Sequence, residues 1–338
     1  MTTLILHRTG PGTSVQDLGR SGYLAQGLSR GGAADPIALA EGAALLNQPP
    51  ALAALEIVSS IEVEVTEPTW IALTGAPKKA SRDGQPLSWN ACHRLAPGQR
   101  LTLGAATEGN YAYLHLAGGI ETPQQVGGRG AHLTAGLGPT LSDGMRLPIG
   151  PPPAPVQRER ALPSEDRFGG GEIRVLAGPQ TGLFPAEVLE RFLATPFIRT
   201  AWGNRQGVKL GHEGEGFRPA GGLDLMSEVI VPGDIQVTGD GTPYVLGPEC
   251  QTIGGYPRIA TVAPQDLPRV MQATPGARLR FRMVTLEEAL ASHRAIERVH
   301  EDASGQLQAQ EANPYHNLMV HNLISGVAID IFDNKDET

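Results

Sequence analysis

Three features of this 338-residue chain predict a mainly β fold with a few helices, built as two β-rich barrels or sandwiches in tandem. Glycine and proline number 43 and 28 while aromatic residues make up 5%, a mix that favours short strands joined by turns over a helical bundle. Short apolar and β-branched runs recur at close spacing. Between two sets of them lies PIGPPPAPVQRERALPSEDRFGGG, whose prolines, charges and glycine triplet read as an exposed linker. A chain this long exceeds one small core and suits two domains.

Before the seam, strand candidates fall at residues 4–8, 55–65, 70–74, 100–103 and 111–116; after it, at 173–177, 230–237, 244–246, 258–262 and 278–284. In the later set, IQVTGDGTPYVL reads as a hairpin turning at Gly239-Asp240-Gly241, and ARLRFRMV alternates polar and apolar residues as a half-buried strand does. Helices are few. Asp35 followed by Pro36 and IALAEGAALLNQPP supplies an N-cap, a proline at the first helical position and a proline stop. Residues 185–194 and 286–298 are two more helical stretches. The division is then 1–150 for the first β unit, 151–171 for the linker, 172–298 for the second unit and 299–338 for an acidic C-terminal extension. That extension is expected to be an appendage ordered at best in part, with one strand-like piece at 327–332.

The net charge of −8 argues against nucleic acid or an anionic membrane as the main partner. No apolar run approaches the roughly 20 residues of a membrane span, and MTTLILHRTG lacks the pattern of a signal peptide. Cys92 and Cys250 lie far apart in no metal-type spacing, which fits a reducing cytoplasm and leaves a single disulfide as the alternative. No metal site is expected: the His212-Glu213 pair sits among glycines without a second histidine at helical spacing. Phosphate-loop, dinucleotide and nucleophile-elbow motifs are missing, so any chemistry must come from assembled loops.

Three such loops stand out. In GPGTSVQDLGRSG, Gln16, Asp17 and Arg20 sit among small residues after the first strand; an arginine there can clamp a carboxylate or phosphate, or simply fix the loop through Asp17 or turn hydrogen bonds. In SEVIVPGDIQV, Ser227 and Glu228 precede a strand, and Gln236 points opposite to Ile235 and Val237, to a pocket or to water. In QTIGGYPRIATV, Gln251 and Thr252 offer side-chain hydrogen bonds, Gly254 and Gly255 bare N–H groups, and Tyr256 a cover for a planar ligand. Backbone donors of this kind stabilise a developing negative oxygen in amide chemistry, although a glycine turn leading into a strand has the same sequence.

Taken in order, GTSVQDLGRSG, GGAADPIALAEGAALLN, LEIV, YLHLAGGI, GPQTGLF, SEVIVPGDIQV and QTIGGYPRIATVAPQDL resemble the allophanate hydrolase subunit 2 family, the biotin-dependent carboxyltransferase subdomains A and B. The resemblance spans about residues 4–295. It implies tandem cyclophilin-like β-barrels and a role as the C subunit of an ATP-dependent 5-oxoprolinase. Implied partners are an allophanate hydrolase subunit 1-type protein (the B subunit of 5-oxoprolinase), a LamB/YcsF-type protein (the A subunit) and a small-molecule amide. ATP and Mg are the implied co-substrate of that complex. Under this reading Arg20 is the anion clamp, the 254–256 backbone holds the amide oxygen, and Asp17, Glu228 or Glu249 orients water or metal-bound phosphate. Two alternatives follow from the same family: a carboxyltransferase component that takes CO₂ from carboxybiotin on a partner, and a non-enzymatic regulator of a subunit 1 protein. The sequence departs from the family pattern at Gln206, Lys209 and the Glu249-Cys250 pair.

Overall fold

The computed structural model describes residues 2–221, 226–293 and 295–312. The first half contains β1 (Thr3–Thr9), β2 (Ser14–Gln16), α1 (Pro36–Leu45), β3 (Ala54–Ile57), β4 (Ile61–Val65) and β5 (Thr69–Gly75). It continues with β6 (Lys78–Arg82), β7 (Gln85–Pro86), β8 (Ala91–Leu95), β9 (Leu101–Ala106), β10 (Ala112–Leu116) and β11 (Arg146–Pro148). These strands form two sheets, β11-β1-β4-β9-β6-β7 and β2-β3-β10-β5-β8. Their inner faces share one core: Leu4, Leu6, Val63 and Leu101 of the first meet Leu55, Ile57, Leu73 and Leu114 of the second. Alternation inside β4, buried at Ile61, Val63 and Val65 and half-buried between, is the period-2 pattern of a sheet with one wet face. The single strand expected over 55–65 is two strands. The chain leaves one sheet after Ile57 and enters the other at Ile61, so the intervening Val58-Ser59-Ser60 makes the corner.

The second half contains β12 (Gly170–Leu176), α2 (Ala186–Ala194), β13 (Phe197–Asn204), β14 (Gly207–Gly211), β15 (Glu228–Val229), β16 (Asp234–Val237) and β17 (Pro243–Leu246). After these come β18 (Ile253–Gly254), β19 (Arg258–Val262), α3 (Leu267–Gln272), β20 (Arg278–Met283), α4 (Leu286–Ser292) and α5 (Ile296–Ala312). Strands β12-β19-β16-β17-β14-β13-β20 close into a barrel, while β15 and β18 pair outside it as a two-stranded flap. Closure removes the exposed edges that an open sheet would present. Phe192 of α2 plugs the barrel, stacked on Phe281 at 5.0 Å and edge-on to Phe217 at 5.4 Å. The fold is mainly β, as the sequence predicts.

Helix α1 packs on the outer face of the second sheet, across β10, β5 and β8, and beneath α5, with Ala38 to Leu45 all buried. Asp35 caps it through Ala38 N–H, and its alanines allow close packing against the sheet and α5. His115 of β10 stacks against Gly42, where a Cβ would fall 2.2 Å from the ring. The helix therefore needs glycine at that turn.

The proline-rich seam is exposed along much of 151–159 but strapped down beyond it. Arg160 donates to the Ala44 and Leu45 carbonyls at the end of α1, and Arg167 forms a two-pronged pair with Glu41 plus a 2.8 Å bond to Asp35. At the other end of the chain, α5 packs Ala303 and Leu307 against Ala44, Leu45 and Leu46 of α1. Residues 299–312, expected to be part of a loose appendage, are thus helix docked on the first unit, because the apolar positions 299, 303 and 307 share one helical face. The helix expected over 286–298 is interrupted: α4 ends at Ser292 and α5 begins at Ile296. The strand-like piece at 327–332 lies outside the described residues.

Candidate functional site

The two halves are joined by a buried ionic cluster. Arg205 occupies the two-residue turn between β13 and β14 and is ion-paired with Glu249 at 2.5 Å and with Glu56 of β3. Glu56 also accepts the Tyr113 hydroxyl at 2.6 Å and the Ala34 N–H at 2.8 Å. Burial alone would lower the Arg205 pKa, but the Glu56 and Glu249 carboxylates outweigh it and raise it. A second bridge runs through Gln272 of α3, whose amide donates to Asp35 and whose oxygen accepts the N–H groups of Asn110 and Tyr111. Charges this deeply buried persist because each finds its partners.

Around this cluster three loops interlock. Arg20 N–H donates to the Arg30 carbonyl at 2.7 Å, Ala33 N–H to the Asp17 carbonyl and Gly31 N–H to that of Pro248. The backbones meet so closely that a Cβ on Gly32 would fall 2.6 Å from the Gly19 nitrogen. Gly31 and Gly32 both have positive φ, 62° and 79°.

These loops revise several expectations. Arg20 is only 2% exposed, and its guanidinium donates to the carbonyls of Gln125 and Gly130 at 2.9 and 2.6 Å. Its Nε and Nη2 cinch the 125–130 loop. Asp17 accepts the N–H groups of Gly19, Arg129 and Gly130, so it holds the same loop and does not pair with Arg20. Gln16 is fully buried and donates to Ser14 and Ala131. Glu249 is taken up by Arg205 and by Thr134 N–H, with His132 Nδ1 3.9 Å away. Asp17, Arg20 and Glu249 are thus engaged in holding the walls of the joint.

The flap carries the remaining expected residues. Glu228 of β15 is half-exposed and accepts Arg258 Nη2 at 2.5 Å and Gln180 Nε2 at 2.9 Å. Arg258 further holds the Val229 carbonyl at 2.8 Å, tying the flap to the barrel. Ser227, Glu228 and Arg258 line an open concavity of about 480 Å³. Gly254 lies in the ladder opposite Glu228, and a Cβ there would fall 2.7 Å from Gln236 Nε2. Its backbone thus belongs to strand pairing, and the missing side chain makes room for Gln236, which is buried and does not face water. Gly255 is half-buried, while Gln251 and Tyr256 are exposed beside it. Thr252 is the point at which this segment meets the N-terminal loop, its Oγ1 4.0 Å from where a Gly27 Cβ would sit. The two loops come together there.

A cleft runs along the same joint. Its widest part, about 490 Å³, is lined by Arg30, Arg174, Asp266 and Arg269 among others. It continues into a slot of about 300 Å³ walled by Pro36, Pro232, Pro248, Pro264 and Pro268. Beyond Arg30 and Pro232 lies a smaller concavity of about 240 Å³ that Arg20 and Ser21 help to line. Arg30 borders all three. It is exposed, its only side-chain bond within the described residues is from Nε to the Leu18 carbonyl at 3.0 Å, and no carboxylate there pairs with it. Sequence reasoning missed Arg30, although it directly precedes the Gly31-Gly32 pair in SRGGAAD. It also missed Glu56, Arg258 and His132, whose partners are remote in sequence. Both cysteines are free and buried, and burial pushes the Cys250 thiol up to about 12, so neither is poised as a nucleophile. No helix among the described residues is long and apolar enough to cross a membrane.

Paired β units with a cleft at their joint are the architecture of a carboxyltransferase domain, and the chain belongs to the family described as carboxyltransferase domain, subdomain A and B, which matches residues 26–283. Within it the chain is 33% identical to the C subunit of Escherichia coli 5-oxoprolinase over 305 residues, covering 89% of this chain and 97% of that one. Identity to the corresponding 5-oxoprolinase C subunit of Haemophilus influenzae is 28%, with 84% and 92% covered. The crystal structure of Kluyveromyces lactis urea carboxylase aligns at a TM-score of 0.78 with 25% identity, covering 89% of this chain but 29% of that longer one. The chain also spans little more than half of another solved chain that it matches.

Proposed function

We propose that the protein is a subunit of an ATP-dependent 5-oxoprolinase. The observation that carries this reading is identity: 33% over 305 residues to the Escherichia coli 5-oxoprolinase C subunit, against 25% to urea carboxylase. The Haemophilus influenzae C subunit, at 28% over 296 residues, points the same way. It acts with partner subunits, an allophanate hydrolase subunit 1-type protein and a LamB/YcsF-type protein, and ATP with Mg is the co-substrate of that complex.

The chemistry sets the demand on the site. A lactam carbonyl is resonance-stabilised and a poor electrophile. Transfer of the γ-phosphoryl group of ATP to the lactam oxygen leaves ADP and activates the ring carbon. One water then adds at that carbon, the C–N bond breaks with the electron pair and a proton going to nitrogen, and a second water releases phosphate. The products are glutamate, ADP and phosphate. This chain supplies a rigid cleft at the barrel joint, with Arg30 at its centre as a positive group that can hold an anion. Asp17, Arg20 and Glu249 keep the cleft's walls in register, a supporting role distinct from direct contact with substrate.

The likeness to urea carboxylase favours one alternative, carboxyl transfer from carboxybiotin on a partner to urea or a similar amide. Substrate choice in the purified complex separates the two. The 5-oxoprolinase reading expects ADP formation that depends on 5-oxoproline and ignores urea, bicarbonate and avidin. Turnover that requires urea and bicarbonate and is blocked by avidin overturns it.

A further inference from the structure

The 300 Å³ slot has an unusual wall. Five of its lining residues are prolines, which carry no N–H, and Leu18, Ala33, Ala34 and Leu267 add further apolar surface. The nearby N–H groups of Gly31, Ala33 and Ala34 are already donated to Pro248, Asp17 and Glu56. The slot is therefore poor in donors, and Arg30 is the sole charged residue among those that line it. On the far side of Arg30 the small concavity contains no acid: Arg20, Ser21 and Arg30 are its polar residues. Arg20 Nη1 is buried there without a partner. The widest part of the cleft differs, because its charges are mixed: Arg167 and Arg174 are closed on carboxylates, Arg269 donates to the Gly170 carbonyl, and Glu165, Asp166 and Glu297 add negative charge. An anion is thus best favoured at the Arg30 end, where no acid lines the slot or the small concavity, next to an apolar slot at the small end of the range for ligand pockets, about 300–1,000 Å³.

We infer that the proline slot takes the ring of a cyclic amide acid and that Arg30 holds its carboxylate. This rests on the 5-oxoprolinase reading and adds to it the place of the substrate and its specificity group. A compact ring fits a rigid, preformed apolar wall without ordering cost. The carboxylate meets a guanidinium free of acidic partners, so binding disrupts no existing ion pair. Arg30 is then the residue that selects a lactam acid over a neutral lactam.

Titration of the full chain with 5-oxoproline and with 2-pyrrolidinone, which lacks the carboxylate, tests the assignment. The expected result is that Arg30→Ala weakens 5-oxoproline about 10- to 100-fold and leaves 2-pyrrolidinone unchanged, with Arg30→Lys recovering part of the loss. Pro232→Trp, which fills the slot, abolishes both, and thermal melts confirm that the variants fold. Equal weakening of both ligands by Arg30→Ala, no weakening of either, or no binding of 5-oxoproline overturns the inference. Failure here is distinguishable from failure of the function. An assembled complex that opens 5-oxoproline with an unchanged KM in Arg30→Ala refutes the Arg30 assignment alone. A complex inactive on 5-oxoproline, in which the chain still binds lactam acids through Arg30, refutes the function and supports the site.

Discussion

Arg205, on the turn between β13 and β14 of the second unit, is ion-paired with Glu56 of β3 in the first unit, and the two are only 6% and 0% exposed. The joint between the units is thereby a charged core and not a hinge. Arg205 also donates to the Gly32 carbonyl, so the loop that carries Arg30 is tied to the same cluster.

Removing Arg205 should be costly. Arg205→Ala strands Glu56 and Glu249 in a buried site, and an uncompensated buried charge of this kind costs about 3–5 kcal/mol. Denaturant unfolding reads the loss directly. A change below about 1 kcal/mol would show that the joint does not depend on the pair.

His115 gives the stability a sign with pH. Burial against α1 lowers its pKa to about 3, from the ordinary value near 6.5. Between those values the unfolded chain binds a proton that the folded protein does not. Stability therefore falls as pH drops from 6.5 towards 3, by about 1.4 kcal/mol per pH unit from this group, and the group contributes no slope above 6.5. His115→Gln should remove one proton from the measured slope over that window; an unchanged slope would contradict the buried neutral imidazole.

The same ring constrains the helix. Gly42→Ala adds a methyl group 2.2 Å from His115, an overpacking expected to cost about 1–3 kcal/mol even though alanine is the better helix former. A melting temperature equal to or above the wild type would show that the α1–β10 contact is looser than described.

The flap is held differently. Arg258 joins the Val229 carbonyl and Glu228 to the barrel, so Arg258→Ala should speed amide exchange at 228–230 and 252–254 by about 10- to 100-fold while leaving the barrel strands protected. Uniform acceleration across the barrel would mean that Arg258 supports the core as a whole.

Much of the fold was legible because its cues are local. The Asp35-Pro36 start of α1 and the hairpin formed by β16 and β17 follow from residues within one turn of where they act. The site was less legible. An arginine in a small-residue loop has one sequence signature whether its guanidinium meets a ligand or, as Arg20 does, a carbonyl 105 residues on. Gly254 likewise reads as a ligand-facing glycine or as one that makes room for Gln236; only the barrel's register decides. Arg30 was overlooked because its importance lies in what it lacks, a carboxylate neighbour, and that absence is set by tertiary packing.

The most direct test of the account is an omission experiment on the reconstituted complex, following ADP and glutamate together. With this chain present, the account predicts 5-oxoproline-dependent release of the two in equal amounts, and without it the loss of both. Equal release that continues when the chain is left out would contradict its place in the reaction.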